Sequence, residues 1–165
     1  MDEWCYAENI NWASSDQTLS GEQGKGLMRV KKIHHVNFLV NDIEAGIRQY
    51  SNFLGLDGFI REELPQRGVS TARVAIGEQW LVLVQPNDAD GTAGRHLAKN
   101  GEGFFLISYA VDSLQEASAR VLEHGGKMVV PNPRQGLNNW HVHDIDVRHT
   151  MGAQLQFCWE GSEKR

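Results

Sequence analysis

One pattern occurs twice in this chain, and the repeat limits what the chain can fold into. The stretch Lys32–Gln49 returns at Gly103–Arg120, 71 residues later. Val40 falls on Val111, Asn41 on Asp112, Ile43 on Leu114, Glu44 on Gln115 and, just beyond, Gly55 on Gly126. The first half of each copy alternates with period two. Val36, Phe38 and Val40 oppose His35, Asn37 and Leu39 in the first copy. Phe105, Ile107, Tyr109 and Val111 oppose Leu106, Ser108 and Ala110 in the second. Alternation with apolar residues on both faces predicts a strand covered on both sides. The period then becomes helical. Ile43, Ile47, Tyr50 and Leu54 form one apolar stripe, and Leu114, Ala117, Val121 and Leu122 form its counterpart. Asn41 with Glu44, and Asp112 with Gln115, have capping-box spacing. Gly55 and Gly126 supply helix stops. Each copy therefore starts strand, turn, helix, stop, and cannot bury its own apolar faces alone.

The rest of each half reads as three strands. In the first half they are Gly58–Glu63, Ser70–Ile76 and Gln79–Gln85, with a hairpin turn at Gly77-Glu78 and a stop at Pro86. Residues 87–103 form a connector in which Arg95–Lys99 could make one helical turn. In the second half the strands are Lys127–Val130, Trp140–Val147 and Ala153–Glu160, with Gln135–Asn139 as a polar loop. The expected fold class is α+β: two tandem βαβββ modules, 29–86 and 104–160, within a domain spanning 29–160. Residues 1–28 are polar and without period, and read as a flexible extension; Trp4, Tyr6 and Trp12 leave open an arm that docks on the fold. Residues 161–165 form a tail.

Charge and composition exclude several classes. A net charge of −5 with scattered Lys and Arg gives no reason to expect nucleic acid as a partner. No apolar run approaches the roughly 20 residues needed to span a bilayer, and no signal peptide opens the chain. Two cysteines, Cys5 and Cys158, make no disulfide framework, so a reducing, cytoplasmic setting is the expectation.

A duplicated βαβββ chain of this length resembles the vicinal oxygen chelate superfamily, which includes glyoxalase I, methylmalonyl-CoA epimerase, extradiol dioxygenases and bleomycin-resistance proteins. The resemblance rests on Ile33–Glu44, on Leu97–Asp112, which looks like the epimerase linker, and on Asp146–Phe157, which resembles the last hairpin. It implies a half-open, mixed-sheet barrel around a divalent metal, with ligands from the first and last strand of each module. Transferred by position, the ligands would be His35, Val82, Leu106 and Gln156. Val82 and Leu106 have no lone pair to donate, and a neutral amide is a poor ligand. The expectation is that the usual metal site is absent and that no cofactor is held. A weakly bound divalent ion on His35, His143 and Gln156 is the alternative.

The same frame supplies the candidate site. His35 and Gln156 are the candidate catalytic pair, since an imidazole titrating near neutrality suits proton transfer. Asn37, Trp80, Val82, Leu106, Ser108, His143, Gln154 and Cys158 are the candidate substrate-binding residues, an apolar pocket with a few polar points. The plain alternatives are a hydrogen-bonded core histidine at His35 and a barrel filled by its own aliphatic side chains. His34 receives no role. Arg73, Arg134 and Arg148 are candidates for holding an anion, with solvated surface as the default. The expected partner is a small molecule. The resemblance implies a lyase or isomerase of the glyoxalase or epimerase type, or a metal-free sequestering protein like the bleomycin-resistance members; a homodimer is implied with either. An extradiol dioxygenase would need two His and a carboxylate on iron, which Leu106 opposes.

Overall fold

The structure is a computed structural model that describes residues 28–161. The readings of the 1–27 segment and of Cys5 lie outside the described residues. The elements follow in order: β1 (Lys32–Leu39), α1 (Ile43–Leu54), β2 (Ile60–Leu64), β3 (Val69–Ile76), β4 (Gln79–Pro86), α2 (Thr92–Asn100), β5 (Gly103–Ala110), α3 (Leu114–Glu123), β6 (Arg134–Gln135), β7 (Trp140–Asp144) and β8 (Leu155–Glu160). Single 3₁₀ turns at Pro65–Arg67 and Val147–His149 join β2 to β3 and follow β7.

All eight strands form one sheet, in the order β2-β3-β4-β1-β5-β8-β7-β6. Each half is the same four-strand unit. In both, the first strand lies parallel to the last, β1 to β4 and β5 to β8. The halves meet through β1 and β5, which run antiparallel. The sheet curls into the half-open barrel of the expected fold class.

Helices α1 and α3 cover the convex face. Ile43, Ile47 and Tyr50 of α1 pack on Val40, Ala72, Val74, Leu81 and Leu83. Burying a side chain such as the fully enclosed Leu83 contributes about 1.5–3 kcal/mol. Gly46 permits this approach, because a Cβ there would come within 3.2 Å of both Leu83 and Val40. Val121 of α3 likewise packs on a cluster with Val111, Leu114, Ala117, Ile145 and Phe157. A third cluster, holding Leu39, Val82, Val84, Phe105, Leu106, Trp140 and Val142, faces the concave side, and α2 adds Ala93 and Leu97 to it.

Several local expectations shift. The N-caps are Asp42 and Ser113, one residue later than Asn41 and Asp112. Asp42 accepts from the Glu44 and Ala45 amides at 2.8 and 3.0 Å, and Ser113 from the Glu116 amide at 3.2 Å. In the second helix the left-handed residue is Gly125 rather than Gly126. The connector helix runs from Thr92 to Asn100, longer than one turn. Lys127–Val130 forms only an isolated bridge between Met128 and Ile145, and the edge strand is Arg134–Gln135, which overlaps the expected polar loop at Gln135. Pro131 and Pro133 cannot donate to a ladder, so pairing resumes only after them.

An alanine at Asp42 removes the observed cap and should lower unfolding free energy by about 1 kcal/mol. Asn41→Ala should stay within about 0.5 kcal/mol. Urea denaturation of the two variants checks this, and equal losses would contradict the cap assignment.

Candidate active site

The β1–β5 pairing is irregular at two places, and both shape the cavity. Ile33 pairs with Tyr109 and His35 with Ser108, so His34 is an extra residue in β1. Asn37 pairs with Leu106 and Phe38 with Phe104, so Phe105 is an extra residue in β5. A bulge breaks the alternation of faces. It brings the rings of His34 and His35 together, 5.0 Å apart edge to face, where a regular strand would send them to opposite sides. It also puts Phe105 beside Leu106 on the cavity wall.

The concave side encloses a cavity of about 650 Å³. His35, Asn37, Val82, Leu106, Gln154 and Gln156 all line it. The positions implied by resemblance therefore do converge, with Val82 and Leu106 turned inward toward the same space as His35 and Gln156. The wall also carries Arg67, Arg134, Trp140 and Asp144.

Four expected binding residues lie elsewhere. Trp80 packs at the barrel's end, 5.9 Å from Trp140 and beneath Arg73. Ser108 is fully buried between its cross-strand neighbours His35 and Gln156, too short to reach past them. Cys158 is fully buried in the core, and burial pushes its thiol up to about 12. His143 faces the helix side. Its Nδ1 meets the Ser118 hydroxyl at 2.7 Å and its Nε2 the Val130 carbonyl at 2.8 Å. It pairs with Phe157, whose neighbour Gln156 faces the cavity, so strand alternation sends His143 away. His143 therefore does not share a face with His35 and Gln156.

His35 is 3% exposed and stacks on Trp140, with centroids 5.0 Å apart and planes 15° from parallel. Its Nδ1 lies 2.8 Å from His34 Nδ1, and His34 Nε2 lies 2.9 Å from Glu160 Oε1. A carboxylate accepts, so neutral His34 carries its proton on Nε2. His34 Nδ1 then accepts, and His35 Nδ1–H donates to it. The chain of bonds leaves His35 Nε2 without a proton, its lone pair available to a ligand. Burial lowers the His35 pKa to about 3, with His34 adding to the effect and Gln156 opposing it. Titration near neutrality, the property expected from sequence, is therefore lost to desolvation. His34 is lowered too, first by burial, against the pull of Glu160.

Gln156 donates to Asp144 Oδ1 at 2.6 Å. Arg134 holds the other carboxylate oxygen with Nε at 3.2 Å and Nη2 at 2.7 Å. Asp144 thereby orients the Gln156 amide. Gln154 meets His96 Nδ1 at 3.0 Å. Asn37 Oδ1 is buried without a partner among the described residues, which marks an unspent polar group in the wall. Of the other arginines, Arg73 pairs with Glu62 at 2.7 Å and Arg148 with Asp146 at 2.5 Å.

Two of the four wall positions are hydrocarbon, and the Gln156 amide is engaged by Asp144. His34, His35 and Cys158 place donor atoms within 4.8 Å of one another. There an ion would have to break the His34–His35 bond and strip a proton from a thiol held near 12.

The family model of the glyoxalase/bleomycin resistance protein/dioxygenase superfamily matches residues 34–143. The chain belongs to that superfamily. It is 27% identical over 128 residues to the mitochondrial methylmalonyl-CoA epimerase of Bos taurus, covering 72% of this chain and 73% of that protein. It is 31% identical over 104 residues to the ethylmalonyl-CoA/methylmalonyl-CoA epimerase of Cereibacter sphaeroides, covering 58% of this chain and 78% of that one. A Streptomyces coelicolor methylmalonyl-CoA epimerase solved with 2-nitronate-propionyl-CoA superposes with a TM-score of 0.78 at 23% identity, over 81% of this chain and all of that one. The superfamily fold is thus shared. Among the described residues no helix is long and apolar enough to cross a membrane.

Below pH 6.5 the unfolded chain takes up protons that buried His35 refuses, so stability should fall as pH drops from about 6.5 toward 3 and be flat in this respect above it. The slope should be on the order of 1 kcal/mol per pH unit. Melting temperature against pH checks it, and His35→Asn should flatten the curve in that window.

Proposed function

We propose that this chain is an epimerase-like enzyme of the lyase or isomerase type that moves a proton at a carbon beside a carbonyl group, without a divalent ion at the family's position. The observation that carries this is His35: a neutral imidazole in the cavity wall, its Nδ1 fixed through His34 and Glu160 and its Nε2 lone pair left for a ligand. The methylmalonyl-CoA epimerases among the relatives support an acyl-CoA thioester as the substrate class.

In this reading His35 Nε2 takes the proton, and negative charge builds on the carbonyl oxygen. Amide donors on the same wall stabilise that oxygen, Asn37 and the second N–H of Gln156. His35 is a weak base in the empty cavity because an imidazolium there is desolvated. An enolate beside it supplies the missing counter-charge and raises its proton affinity at the moment of transfer. Trp140 limits water around the ring, which strengthens both effects.

The depressed His35 pKa favours a second reading, a sequestering protein that uses the same cavity without chemistry. Incubation of methylmalonyl-CoA in D₂O, with mass spectrometry of the α-position, separates them. Exchange in chelator-treated protein, reduced about 100-fold or more by His35→Ala, is the expected result. Saturable binding with no exchange would establish sequestration instead. Exchange that chelation abolishes and added metal restores would overturn the metal-free mechanism.

A further inference from the structure

We propose that Arg67 and Arg134 form the arm of this cavity that recognises a carboxylate, and so select substrates carrying an acidic group; the inference deepens the reading above and rests on it. Both side chains line the cavity from different modules. Arg67 ends the 3₁₀ turn between β2 and β3. The next residue, Gly68, takes φ 59°, and its carbonyl accepts from the Asn87 and Asp88 amides at 2.7 and 3.2 Å. A Cβ on Gly68 would lie 2.7 Å from that of Asp88, so the turn is seated closely on the connector. The Arg67 backbone is thus held in place, while its side chain forms no ion pair among the described residues.

Arg134 is only half used. Nε and Nη2 serve one oxygen of Asp144, whose second oxygen is taken by Gln156. The Nη1 of Arg134 has no partner among the described residues. Arg67 senses both the guanidinium of Arg134 and the carboxylate of Asp144. Partial burial lowers the Arg67 pKa, Arg134 adds to that, and Asp144 opposes it. The remaining carboxylate of the wall, Asp88, turns to its own loop and accepts from the Asp90 amide at 3.0 Å. A ligand carboxylate bridging Arg67 and Arg134 Nη1 would be held by charge-assisted hydrogen bonds. It would also place negative charge in the same cavity as His35, where it favours the protonated imidazole.

Propionyl-CoA and racemic methylmalonyl-CoA differ by one carboxylate, and calorimetric titration of both reads the arm directly. The wild-type protein should bind methylmalonyl-CoA about 10- to 100-fold more tightly. In Arg67→Gln the ratio should fall toward one, and in Arg67→Lys, which keeps the charge without the fork, it should be intermediate. Equal affinities in the wild type, or an unchanged ratio in Arg67→Gln, would overturn the proposal. If neither thioester binds, the acyl-CoA reading fails while the arm is still tested. Free methylmalonate should then change tryptophan fluorescence saturably in the wild type and not in Arg67→Gln. Absence of that saturable change would remove the arm as well.

Discussion

The antiparallel pairing of β1 with β5 governs this molecule, because it joins the two halves and carries both bulges. Each half offers a strand with apolar residues on both faces, and only the other half can cover the concave one. Joining them produces the cavity as a by-product of burial. The bulges then add one residue to each side of the seam. At His34 the added ring becomes the hydrogen-bond partner of His35. At Phe105 the added ring thickens the apolar wall beside Leu106. A regular ladder with the same sequence would leave His35 without its fixed tautomer.

Around that seam the wall chemistry divides cleanly. Val82, Val84, Leu106 and Val142 make one part hydrocarbon. Polar groups collect along β8 and the outer edge of the second module, where Gln156, Asp144 and Arg134 hold one another in a line. The relation to methylmalonyl-CoA epimerases therefore extends through architecture and chain order, while these residues give the chain its own electrostatics. A desolvated imidazole, an unspent asparagine and two guanidiniums at the wall are what a ligand would meet.

Much of the frame was legible because it depends on local periodicity. The duplicated strand-to-helix switch makes the fold class and the module order legible, and the superfamily resemblance implies the inward facing of His35, Val82, Leu106 and Gln156. Errors arose where one residue of register matters. His143 was assigned to the cavity from its spacing, although the pairing of its strand with β8 places it opposite Phe157. Trp80 shares the face of Val82 but lies at the barrel's end, where Trp140 arrives from the other module. The Asp144–Arg134 pair is not legible in the sequence because Arg134 belongs to a two-residue strand behind two prolines.

The amino-acid sequence by itself determined that two strand-helix units must pair, and that two positions facing the hollow are aliphatic. The first follows from periods of two and about 3.6, which need no knowledge of distant contacts; the second follows from the positions that the superfamily resemblance implies. Tertiary structure alone decided the His34–His35 contact, the collapse of the His35 pKa and the union of Arg67 with Arg134. Each depends on residues far apart in the chain, on the slip of register that a bulge introduces, and on how much water the closed halves exclude.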